Sequence, residues 1–143
     1  MVDWGWWTRT ANGTQPGRPD GVAGVLQAWS SRETVKHLEP GYAGFAQPVG
    51  SGLEVTPIAD PFAVKPGGKL TVRVTLDGAP VAGAAVTYDG KVRGESGPDG
   101  TVRLKLREPG LQVIRATLRR AAADPSWAED VQTGTVTFVL EAR

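Results

Sequence analysis

From residue 53 onward the chain alternates apolar and polar positions with a period of two. Residues 69–76 show this most cleanly. Leu70, Val72, Val74 and Leu76 fall on one side, and Thr71, Arg73 and Thr75 on the other. Residues 101–106 repeat it, with Val102, Leu104 and Leu106 inward and Arg103, Lys105 and then Arg107 outward. Further strand-like pieces cover 53–59, 84–88, 111–118 and 135–140, with a less regular one around 91–93. In 111–118, Ile114, Ala116 and Leu118 are the inward set; in 135–140, Val136, Phe138 and Leu140 share a face. One apolar and one polar face is what an antiparallel sheet presents when one side meets water. The pieces are punctuated by turn formers: Pro66-Gly67-Gly68, Asp77-Gly78, Asp89-Gly90, Pro98-Asp99-Gly100 and Pro109-Gly110. The pattern predicts an all-β antiparallel sandwich over 53–143. Residues 120–132 break the rhythm and read as a loop.

Residues 1–52 are different. They hold Trp4, Trp6, Trp7 and Trp29, are rich in Gly and Pro, and show little alternation. Val22, Val25, Leu26 and Trp29 recur at three- and four-residue spacing, and Asp20 stands where an N-cap would, which predicts a short helix over about 20–31. Residues 33–38 either extend that helix or form a short strand. Glu39-Pro40 ends either one, because a residue before proline is pushed out of the helical region. The predicted organisation is thus an N-terminal, Trp-rich arm (1–52) with one short helix, followed by a β-sandwich domain (53–143).

Composition narrows the function. Sixteen Lys and Arg against fifteen Asp and Glu leave a net charge of +1, which argues against a nucleic-acid binder relying on a strong positive field. There is no cysteine, so no thiolate ligand or nucleophile, and His37 is the single histidine. Apolar runs are too short for a transmembrane segment. Met1-Val2-Asp3-Trp4 begins no signal peptide.

Two stretches carry resemblances. Gly78-Ala79-Pro80-Val81-Ala82-Gly83-Ala84, then Asp99-Gly100, Pro109-Gly110 and a strand ending in Arg115-Ala116, resemble prealbumin-like modules. With the strand pattern this gives an immunoglobulin-like or prealbumin-like antiparallel β-sandwich. The longer stretch runs from Lys36-His37-Leu38-Glu39-Pro40-Gly41 through Gly52-Leu53-Glu54 to Asp60-Pro61-Phe62. It resembles periplasmic components of cobalt or nickel transport, which carry a domain of unknown function and sit beside metal-uptake permeases. Gly5-Trp6-Trp7-Thr8 and Thr135-Val136-Thr137-Phe138 fit the same family. Such proteins begin with a signal peptide, a further β-rich segment and a histidine near the mature N-terminus. This chain lacks those features and reads as their C-terminal portion or as a short form. The resemblance implies a periplasmic location, a permease or other transport subunit as partner, and nickel or cobalt as the metal handled.

The ligand inventory pulls the other way. His37 with Glu33 or Glu39 is the one candidate metal site, and zinc-like sites take three or four protein ligands. Enzymes on prealbumin-like folds fail by counting. Hydroxyisourate hydrolase uses several histidines, and intradiol dioxygenases use two with two tyrosines. No Gly-x-Ser-x-Gly elbow or phosphate loop is present. The carboxylate pairs Glu129-Asp130 and Glu95/Asp99 lie in turn and loop segments. No catalytic residue and no cofactor is assigned, and the chain reads as a non-enzyme. Arg103, Lys105 and Arg107, with Arg115 and Arg119 on the next strand, are either a basic patch for an acidic partner or lipid headgroups, or a solvated face. Trp4, Trp6 and Trp7 either bind a partner or sugar rings, or anchor the arm. Adjacent Trp6 and Trp7 cannot both face inward in a strand, so one is exposed unless another domain or a second copy in a homodimer covers it. The expected function is a non-enzymatic periplasmic accessory component of cobalt or nickel uptake; the alternative is a carbohydrate- or surface-binding module using exposed tryptophans.

Overall fold

The period-two segments form strands that stack as two sheets around one apolar layer. A computed structural model describes residues 1–142. The strands are β1 (Val2–Thr10), β2 (Gly13–Pro16), β3 (Val25–His37), β4 (Leu53–Pro57), β5 (Lys69–Leu76), β6 (Ala79–Pro80), β7 (Ala85–Tyr88), β8 (Lys91–Glu95), β9 (Thr101–Lys105), β10 (Gly110–Ala121) and β11 (Glu129–Leu140). The larger sheet has seven strands in the order β2-β1-β3-β11-β10-β7-β8. In the smaller, β4 lies along one edge of β5, while β9 and the short β6 follow one another along the other edge. A single 3-10 turn, Pro61–Ala63, has Asp60 as its cap. Among the described residues no helix is long and apolar enough to cross a membrane.

The inward positions read from the alternation make up the core. Leu70, Val72, Val74, Leu104 and Leu106 from the smaller sheet side meet Val86, Ile114, Val136 and Phe138 from the larger sheet, all at most 2% exposed. Each such side chain contributes about 1.5–3 kcal/mol by leaving water. Phe62 closes one end with its ring edge-on to Phe138, centroids 6.0 Å apart.

The helix expected over about 20–31 is absent. Residues 21–24 make a turn, with Gly21 and Gly24 at φ +74° and +69°, and Val25–His37 is a 13-residue strand. The three- and four-residue spacing was a coincidence of Val22, Val25, Leu26 and Trp29; two glycines in the left-handed region cannot belong to a helix. Cross-strand pairing decides the state instead. β3 takes β1 antiparallel on one side and β11 parallel on the other, from Trp29↔Glu129 to His37↔Thr137. That pairing is the one parallel ladder in a sheet expected to be antiparallel throughout. The Trp-rich segment therefore adds three strands to the larger sheet. Likewise, β10 and β11 continue through Ala121 and from Glu129, so the break between them is shorter than the expected 120–132 loop.

The turns follow the expected chemistry. Asp77-Gly78 and Asp89-Gly90 carry positive φ on both residues, the type I′ pattern that matches strand twist. At Asp99-Gly100 the Asp99 carboxylate accepts from the Thr101 hydroxyl at 2.8 Å and the Thr101 amide at 3.1 Å, which holds its pKa below the ordinary carboxylate value. Gly100 has φ +80°, and a Cβ there would lie 2.5 Å from the Val74 carbonyl oxygen. Gly90 has φ +72° with open space around it. Gly90→Ala should therefore cost only the backbone strain, about 1 kcal/mol, whereas Gly100→Ala adds overpacking and should cost about 2–4 kcal/mol. Urea unfolding of both variants measures the difference; equal losses would show that the Val74 contact relaxes freely.

Candidate functional site

The most heavily constrained polar group is one the sequence reading passed over. Glu54, on β4, is 1% exposed. Its carboxylate accepts from the backbone amides of Val49 and Gly50, both at 2.8 Å, and so holds the 38–52 segment across the sheet edge. Lys36, inward-facing on β3 and 14% exposed, lies 3.5 Å from Glu54 Oε1 and donates to Thr56 Oγ1 at 2.6 Å. Burial pushes the Lys36 ammonium below the ordinary lysine value, against the opposing pull of the Glu54 charge and hydrogen bond. Two amide donors and a nearby ammonium thus supply this buried carboxylate with hydrogen-bond and charge partners. Two signals pointed to it: a charged residue between Leu53 and Val55 in a predicted strand, and its place in the Gly52-Leu53-Glu54 motif.

The expected metal residues are brought together only in part. His37 Nδ1 lies 2.8 Å from Thr137 Oγ1, and Nε2 lies 3.3 Å from Glu39 Oε1. Both ring nitrogens thus already have partners. Glu33 is four residues away on the same extended strand, about 13 Å along it at 3.3 Å per residue. Its carboxylate instead accepts from Trp4 Nε1 at 3.2 Å. Among the described residues no group of three or more His, Asp and Glu gathers closely enough to hold a metal ion.

The tryptophans divide between the two faces of β1. Trp6 points inward beyond the rim of the smaller sheet, packs with Ala28, Ala122 and Ala128, and carries the Arg18 guanidinium 4.6 Å above its ring. Trp7 pairs across the strands with Trp29 on the outer face, and its indole donates to the Trp4 carbonyl at 3.1 Å. A register shift between Asp3 and Gly5 places Trp4 as an extra residue, which lets its indole reach Glu33 on that same outer face. Trp4 is 54% exposed and Trp7 half-buried.

The five expected cations do not share a surface. β9 belongs to the smaller sheet, where Arg103 and Lys105 face outward; β10 belongs to the larger, where Arg115 and Arg119 face outward on the other side of the molecule. Consecutive strands that switch sheets separate side chains a linear reading puts side by side. Arg119 pairs with Glu129 at 3.0 Å, and Arg115 donates to Thr135. Arg107, beyond the end of β9, turns instead toward Asp89, 3.9 Å away. Of the carboxylate pairs, Glu129 thus holds a cation and Asp130 accepts from Ser30 at 2.8 Å; Asp99 serves its turn.

The model of one family, a domain of unknown function (DUF4198), matches residues 2–120. The matched range ends within β10, so β11 lies beyond it although it sits at the middle of the larger sheet. No curated protein and no solved structure matches the chain.

Two outcomes follow from this geometry. Lys36 gives up its proton at lower pH in the folded than in the unfolded chain. Over the alkaline interval below the ordinary lysine value the unfolded chain therefore binds more protons, and unfolding free energy rises with pH there. Lys36→Met should remove that rise, so that in chemical denaturation wild type gains on the variant as pH rises towards the ordinary lysine value; parallel curves would contradict it. For metal, His37 with a single carboxylate leaves most coordination positions to solvent. The purified chain should retain no stoichiometric nickel after dialysis, as read by elemental analysis. A tight one-to-one complex would reveal ligands other than these.

Proposed function

The chain belongs to this family of domains of unknown function, and from that premise we propose that it is a non-enzymatic periplasmic accessory component of a cobalt or nickel uptake system, working by contact with the membrane permease or another transport subunit. The observation that carries the proposal is the outer face of the larger sheet at its β1–β3 end. There Trp4 and Val35 are 54% and 62% exposed, beside Val2, Trp7 and Trp29. Large apolar side chains clustered on one face mark an interaction surface, and strands lose little entropy when they dock. Tryptophan anchors of this kind dominate interface energetics. The 36–64 stretch, with its resemblance to metal-transport components, supports the choice of system. Nickel or cobalt is then cargo, ligated at a site that other parts of the system complete.

A second reading is carbohydrate binding. It is favoured by a groove of about 520 Å³ beneath the overhang of the larger sheet, where the edge of Trp6 meets Asp3, Arg32 and Asp130. Trp6 carries the Arg18 guanidinium over its ring and packs against the alanines, so a sugar in this groove would be held largely by hydrogen bonds from Asp3, Arg32 and Asp130.

Surface plasmon resonance against a cobalt or nickel permease in nanodiscs, run beside cello-, xylo- and chito-oligosaccharides, separates the two. The docking reading expects saturable binding to the permease that weakens about tenfold in Trp4→Ala, or about 1.4 kcal/mol, with unchanged thermal unfolding. Saturable sugar binding that is lost in Asp130→Ala and untouched by Trp4→Ala would establish the second reading and sink the first. Self-association that is abolished by Trp4→Ala would assign the face to a homodimer instead.

A further inference from the structure

The edge strands of the two sheets, β8 and β9, stack at the opposite end of the sandwich from the tryptophans. Between them lies a groove of about 210 Å³ lined by Arg93, Arg103, Lys105 and Arg107, with Tyr88 and Leu104 as its floor. In a chain whose net charge is only +1, this is a strong local concentration of cations. Lys69, paired directly across from Lys105, adds to it. Among the described residues the carboxylate in ion-pair reach is Asp89, at 3.9 Å from Arg107 and 4.0 Å from Arg93, too far for a hydrogen bond to either.

Arg93 supplies the sharper observation. Its Nε donates to the Tyr88 carbonyl at 3.1 Å, which fixes the plane of the guanidinium. Its Nη2 is buried, lies 4.0 Å from Asp89 Oδ2, and has no hydrogen-bond partner among the described residues. A buried charged donor without an acceptor is costly and calls for an explanation. The floor beneath it is rigid. The Tyr88 hydroxyl donates to Gln112 Oε1 and accepts from the Arg107 amide at 3.0 Å, so it ties the end of β9 to β7.

The geometry points to a binding site for a phosphate-type oxyanion in this groove, with Arg93 as its fixed donor and Arg103, Lys105 and Arg107 as the surrounding charge. A tetrahedral dianion offers acceptors in several directions at once, which a ring of guanidinium forks and one ammonium can meet. It would neutralise cations that otherwise repel one another. A carboxylate, planar and singly charged, meets fewer of these donors. The shared chemistry is that of free phosphate or of a phosphomonoester headgroup.

Calorimetric titration with inorganic phosphate, and co-sedimentation with phosphatidylcholine vesicles with and without phosphatidic acid, test the site and its source. The expected result is saturable binding in at least one arm that falls at least tenfold in Arg93→Gln and several-fold in Arg103→Gln. Arg9→Gln, at the far end of the larger sheet, should leave it unchanged. Arg93-dependent binding of phosphatidic acid vesicles names the headgroup as the source, and binding of inorganic phosphate alone names the free anion. Arg103 and Lys105 are exposed, so Arg103→Gln/Lys105→Gln carries the test even if Arg93→Gln does not fold. Absence of binding in both arms, or equal losses in Arg9→Gln and Arg93→Gln, would overturn the assignment.

Discussion

The parallel ladder between β3 and β11 is the constraint on which the remainder of this structure depends. It joins the first strands of the chain to the last. Because β11 lies between β3 and β10, the larger sheet is continuous across seven strands and extends past the rim of the smaller one. The overhang is what gives Trp6 an inward position outside the main core, and what leaves Trp4, Trp7 and Trp29 on a flat outer face. The ladder also joins residues about a hundred apart in sequence, a non-local pairing that forms only once most of the chain has collapsed.

Glu54 and Gly134 are the local consequences of that ladder. After β3 the chain must cross to β4 in the opposite sheet, and residues 38–52 do this without regular structure. The backbone amides at the end of that crossing would be orphaned if buried alone; the Glu54 carboxylate satisfies two of them. Where β4 closes on β11, a Cβ at Gly134 would run into the Leu53 carbonyl, so the approach of the two backbones requires glycine. Lys36 adds a charge from β3 to the same corner. Three elements distant in sequence are thus fixed by one buried carboxylate and one missing side chain.

What the sequence disclosed follows from the same geometry. Strands with one wet and one dry face, such as β5 and β9, were legible because burial alone imposes period two on them. β3 was not, because its inward residues Ser30, Arg32, Thr34 and Lys36 face the overhang and the sheet corner, where polar side chains are tolerated. Its alternation is therefore nearly silent, and an accidental helical spacing in 22–29 outweighed it. The family resemblance was legible in the Gly52–Phe62 stretch, where Glu54 and the Asp60 cap impose specific side chains. The basic groove was half legible. Arg103, Lys105 and Arg107 stood out on an alternating strand, but Arg93 lies on a short irregular strand, and nothing in linear order shows that β8 stacks on β9 while β10 does not.

The indole face and the cationic groove can act independently, for reasons of distance and dielectric. In the order β1-β3-β11-β10-β7-β8, five inter-strand steps separate β1 from β8, about 24 Å at 4.8 Å per step. At physiological ionic strength the Debye length is about 8 Å. The cations on β8 and β9 therefore exert little field at Trp4, and an anion bound beside Arg93 does not alter the electrostatics of a partner docked on the outer face. The intervening strands are held on both sides by ladder hydrogen bonds, which favours a rigid connection between the two ends. Substitutions at the two ends should then add rather than interact. On the two proposals made for these surfaces, the chain would hold an apolar partner and an anionic one at opposite ends of a rigid seven-stranded sheet.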